Sequence, residues 1–64
     1  MNAQERADAE AQGYSVWLQE RSPGNFSYWV FLNNNEVGGP FGSEPEGWDH
    51  VKMLQTKGSY GMGN

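Results

Sequence analysis

Between Tyr14 and Asn33 the sequence reads YSVWLQERSPGNFSYWVFLN, two alternating runs on either side of Ser-Pro-Gly-Asn. Period-two alternation rich in aromatic and β-branched residues marks half-buried strands, and a Pro-Gly pair between two such runs joins them as a hairpin. A hairpin with two unlike faces must bury one of them, and this limits the rest of the chain. Tyr14, Val16 and Leu18 share a face with Phe26, Tyr28, Val30 and Leu32. Ser15, Trp17, Gln19 and Arg21 share the other with Ser27, Trp29, Phe31 and Asn33.

The loop sets the register. A bare two-residue Pro-Gly loop would place Leu18 opposite Trp29, mixing the faces, and its type II twist splays a hairpin. A five-residue loop over 21–25 pairs Val16 with Val30, Leu18 with Tyr28, Tyr14 with Leu32 and Trp17 with Trp29. Sliding by two residues keeps the faces but sets Trp17 opposite Phe31 and closes the loop less tightly. The first register is therefore expected.

After the hairpin comes NNNEVGGPF. Asn34-Asn35 suits the positive φ angles of a tight turn, setting Leu32 opposite Val37 and Tyr28 opposite Phe41. Gly38, Gly39 and Pro40 restrict this third strand to an edge. Ser43-Glu44-Pro45-Glu46 then forms a capping box with Pro in the first turn, opening a helix over 44–57 with Gly58 as its stop. Trp48, Val51 and Leu54 lie on one stripe, Gly47 allows close approach to the sheet, and Glu46, Asp49, Met53 and Lys57 face away. The predicted core contains Val16, Val30, Leu32, Trp48, Val51 and Leu54. The helix is expected to cover Tyr14, Val16, Leu18, Tyr28, Val30, Leu32, Val37 and Phe41.

Residues 1–13, MNAQERADAEAQG, are helix formers ending at Gly13, with an alanine stripe at Ala3, Ala7 and Ala11. A helix this short is marginal alone, so the segment reads as a short helix or a frayed acidic arm. The last residues, 59–64, have the composition of a flexible tail. The expected fold class is α+β: a small three-stranded antiparallel sheet over 14–20, 26–33 and 36–41 with one C-terminal helix on one face. The βββα domain covers 14–58, with a short N-terminal helix or arm before it. This element order is similar to that of several DNA-binding domains, among them the arm-binding domain of tyrosine integrases. Those present a basic sheet face to the groove, whereas Ser15, Trp17, Gln19, Arg21, Ser27, Trp29 and Phe31 line the corresponding face here, so no residue role carries over.

Composition excludes several chemistries. With 64 residues the chain is near the lower limit for an unaided core. No cysteine is present, which removes disulfides, thiolate zinc sites and thiol nucleophiles and suits a cytoplasmic setting. The absence of an N-terminal apolar run predicts neither a secretory signal nor a membrane span. Eight acids against four bases give −4, and Arg6, Arg21, Lys52 and Lys57 are scattered rather than striped, which argues against duplex nucleic acid.

His50, the one histidine, cannot form a relay with Asp49, which points about 100° away on a helix. Glu46 shares its face, but two ligands on a solvated helix rarely hold a metal, so His50 reads as solvated at the edge of the buried stripe. The glycine-rich run 38–42 enters a helix N-terminus, yet Glu44 and Glu46 in the first turn would repel an anion. No nucleophile has both a base and an orienting group, so no catalytic residue, metal or cofactor is expected.

What remains is the face carrying Trp17, Trp29 and Phe31, rimmed by Gln19, Arg21 and Ser27. Either the N-terminal segment or the tail folds over it, or it is an exposed interaction surface with aromatic anchors. The second reading gives a small stand-alone, non-enzymatic module that docks on a larger protein, as accessory or inhibitor proteins of phages and mobile elements do. Alternatives from other classes are single-stranded nucleic-acid binding by base stacking and a structural homodimer.

Overall fold

The computed structural model describes residues 1–62, with side chains described through Lys57. Five elements follow in order: α1 (Ala3–Ala11), β1 (Tyr14–Ser22), β2 (Asn25–Leu32), β3 (Asn35–Phe41) and α2 (Glu44–Met62). The strands form one antiparallel sheet in the order β1-β2-β3. The α+β class expected from the sequence is what the chain adopts.

The β1–β2 register is the one that keeps the faces apart: Tyr14 opposite Leu32, Val16 opposite Val30, Trp17 opposite Trp29, Leu18 opposite Tyr28. The loop that achieves it is shorter than the five residues expected. Ser22 pairs with Asn25 around Pro23-Gly24, and a bulge between Glu20 and Ser22 leaves Arg21 as the extra residue. Gly24, at φ +79°, takes the left-handed turn position that other residues resist. One bulged residue thus corrects the face mismatch of a plain two-residue loop.

A similar compensation occurs at β3. The turn residues are Asn33 (φ 51°) and Asn34 (φ 70°), one position earlier than expected, so Leu32 pairs with Asn35 rather than Val37. Two register shifts follow, and Tyr28 still meets Phe41. Val37 consequently stays beside the core.

Both helices pack on the same side of the sheet. Ala9 of α1, Val30 of β2, and Trp48 and Val51 of α2 form one buried cluster, with Met1, Tyr14, Val16, Val37 and Phe41 partly buried against it. Gly47 permits the contact: a Cβ there would lie 2.7 Å from Val16 Cγ1. Of the predicted core, Val16, Leu32 and Leu54 are only half-buried. For Leu54 the cause is helical phase. At about 100° per residue it sits about 120° from Trp48, while Gln55 stays within about 20°. Gln55 accordingly faces α1 and donates to Gln12 Oε1 at 3.0 Å.

The hairpin outruns its cover. Leu18 is 51% exposed and Phe26 62% exposed, against the expectation that the helix would shield Leu18. A nine-residue strand spans about 30 Å, and α2 crosses it near Val16, toward the other end. α2 also continues through Gly58 to Met62 instead of stopping there. Glycine accepts helical φ as readily as left-handed φ and ends a helix only where the chain turns. Residues 59–62 of the expected tail are therefore helical; residues 63–64 lie outside the described residues.

α1 is a formed helix rather than a frayed arm. Asn2 Oδ1 accepts from Glu5 N–H at 2.8 Å while Glu5 Oε1 accepts from Asn2 N–H at 3.0 Å, a complete capping box. Gly13 closes it at φ +105°, and its carbonyl accepts from Asn33 N–H at 3.0 Å. Across to α2, Arg6 pairs with Glu44 at 2.9 Å and lies 5.0 Å from the Trp48 ring, and Lys52 meets Glu5 at 3.5 Å. Among the described residues no helix is long and apolar enough to cross a membrane.

Candidate aromatic docking face

The face opposite the helices carries all six residues singled out from the sequence: Trp17, Gln19, Arg21, Ser27, Trp29 and Phe31. Alternation along β1 and β2, held by the observed register, brings them together. α1 packs against the other side, so residues 1–12 do not fold over this face.

The six are not equally presented. Trp17 is 59% exposed, its indole N–H donating to Ser15 Oγ at 3.0 Å. With Gln19, Phe31 and Asn34 it lines a shallow depression of about 260 Å³. Trp29, expected to be an exposed anchor, is half-buried. Its ring lies against Gly39, where a Cβ would come within 2.6 Å of Cε3, and the Arg21 guanidinium sits 3.5 Å from the ring centroid. A guanidinium over an indole face is held by the ring quadrupole and sheds little apolar packing to water. Arg21 also donates through Nε and Nη2 to Gln19 Oε1, at 3.0 and 2.8 Å, and pairs with Glu36.

Bulging at Arg21 therefore has a local result: the extra residue becomes the cover of Trp29. Beneath it the Trp29 indole N–H is buried with no hydrogen-bond partner. A second hollow, about 190 Å³, runs beside it between Arg21, Ser27, Trp29 and Pro40. Leaving a buried donor unsatisfied costs roughly 1–3 kcal/mol, so an acceptor brought to this N–H would be favoured.

Glu36, Gly39 and Pro40 complete the face and were not foreseen as part of it. Glu36 was legible by alternation beside Val37, since it lies on this side in either register. The Gly39 contact depends on the bulges of β3, whose sign in the sequence is the Gly38-Gly39-Pro40 run, since glycine or proline within a strand marks a bulge or a close backbone approach.

Elsewhere, His50 is not solvated as expected. Gly38 leaves room for its ring, which lies 5.2 Å from Phe41, and its Nε2 is 3.2 Å from the Val37 carbonyl oxygen. It joins α2 to the sheet edge. Ser43 caps α2 by accepting from Glu46 N–H at 3.4 Å. Among the described residues no group of three metal-ligating side chains converges. No known protein family, curated protein or solved structure matches the chain.

Proposed function

We propose that the chain is a small non-enzymatic binding module that docks its open sheet face on a larger protein, in the manner of an accessory or inhibitor protein. One observation carries the reading: Trp17 stands 59% exposed and lines, with Phe31, a shallow depression on the sheet face opposite both helices. A large aromatic side chain in such a position supports burial in a partner's pocket, with Gln19, Arg21 and Ser27 as the polar rim. Arg21 is already neutralised by Glu36, so the face offers shape and apolar area more than charge. A cytoplasmic setting fits a cysteine-free chain.

The test is affinity capture from the source cells with wild type and Trp17→Ala side by side, followed by titration of whatever is retained. Trp17→Ala is expected to keep a cooperative fold while weakening the complex by about 2 kcal/mol or more. A partner held equally by both would remove the docking reading. Retention of single-stranded nucleic acid, released by salt, would replace it with base stacking.

A further inference from the structure

β1 ends the sheet on one side and β3 on the other, and the two edges are finished differently. β3 contains Pro40, which has no N–H, and shifts register twice against β2. One of its carbonyls, that of Val37, is met by His50 Nε2. These features discourage pairing with another strand. β1 has none of them over most of its length. It runs without Pro or Gly, keeps a regular register from Tyr14 to Glu20, and among the described residues no side-chain or turn hydrogen bond reaches its backbone. Unpaired N–H and C=O groups along such an edge template a further strand. Trp17 and Leu18, both more than half exposed, sit in the middle of it, one on each face.

We propose that β1 pairs antiparallel with β1 of a second copy about a two-fold axis at Trp17, giving one continuous six-stranded sheet. Residues directly opposite in an antiparallel pair share a face, so the axis must pass through a residue if open face is to join open face. With the axis at Trp17, that ring meets the partner's Trp17, Val16 meets the partner's Leu18, Ser15 the partner's Gln19, and Tyr14 the partner's Glu20. Both exposed apolar side chains gain an apolar neighbour, and no like charges oppose one another. An axis at Leu18 would set Val16 against Glu20. One at Val16 would set Ser15 against Trp17 and end the ladder at Leu18. The segment is complementary to itself in one register, which favours a second copy over a foreign strand. The dimer would align four tryptophans across the doubled open face. The inference uses the β1 backbone and does not rest on the docking reading, which would survive its failure.

Sedimentation equilibrium of the full chain between about 1 and 500 µM, the range expected of a modest edge interface, is the first test. The mass should rise to twice that of the chain, and Trp17→Lys should move the midpoint at least ~10-fold upward with unchanged circular dichroism, since a lysine at an edge opposes pairing. The register is tested separately by introducing single cysteines into this cysteine-free chain. Ser15→Cys and Gln19→Cys should cross-link to each other when mixed, and neither should cross-link to itself, being about 13 Å along the strand from its own copy. A monomer throughout the range, a folded Trp17→Lys that dimerises like wild type, or cross-linking within Ser15→Cys alone would each overturn the proposal.

Discussion

Gly47 shows how one missing side chain sets the spacing between helix and sheet. Replacing a helical glycine by alanine favours the helix by about 1 kcal/mol when nothing else changes. Here the new methyl would meet Val16 Cγ1 at 2.7 Å. Val16 is β-branched and fixed in the pairing with Val30, so its methyl groups have no free rotamer to swing into. Overpacking of this kind costs about 1–3 kcal/mol, which outweighs the propensity gain. Gly47→Ala should therefore destabilise the fold by about 1 kcal/mol net, read as a lower urea midpoint. A neutral or stabilised variant would mean that α2 can retreat from the sheet without loss.

At the scale of elements, α1 carries more than its alanine-rich sequence promises. It contributes Ala9 to the buried cluster and sets Arg6 beside Trp48. Deleting residues 1–12 should lower the thermal midpoint and red-shift the emission of a variant retaining Trp48 as its sole tryptophan. Trp17, on the other face, should report no change. The opposite pattern would place α1 on the wrong side of the sheet. α1 also has a pH response of its own. The Glu5 carboxyl is held below its usual range, first by the hydrogen bond from Asn2 N–H and next by the Lys52 ammonium. A depressed folded-state pKa means the contribution is complete above the unfolded carboxylate value and disappears as pH falls through the lowered folded value. Helicity of α1 should fall in that acid window, and Glu5→Gln should flatten this part of the stability profile. An unchanged profile in Glu5→Gln would exclude Glu5 as the source.

For the whole molecule, charge and size decide what is available. The net charge of −4 has no basic stripe to offset it, and Arg21, the cation on the open face, is shared between Trp29 and Glu36. Duplex DNA should bind no tighter than the weak nonspecific range at physiological salt. Micromolar or tighter binding with a steep salt slope in a fluorescence titration would contradict this. Among the described residues the fully buried cluster contains Ala9, Val30, Trp48 and Val51, a core small enough that any further burial matters. Trp17, Leu18 and Phe26 are the large apolar side chains most exposed among the described residues.

Tight closure of the loop selected the β1–β2 register among those that keep the faces apart. Alternation by itself determined the two faces of the hairpin, the side on which a helix must lie, and the set of six residues that share the open face. These follow from a period of two, because any odd slip would bury Trp17 and Trp29 and expose Val30. The Ser43 cap and the Gly47 contact were also legible, being local signals with one geometric meaning. What tertiary structure decided lies where the chain departs from regular spacing. Bulges at Arg21 and in β3 each insert one unpaired residue, and they turn a scatter of side chains into Arg21 over Trp29 and Trp29 on Gly39. The position of α1 was likewise undetermined, since alanine and charge give no strong moment toward either face. It was settled by long-range contacts to Trp48, Glu44, Lys52 and Gln55, groups more than thirty residues away that meet α1 only once the sheet has brought α2 back across it.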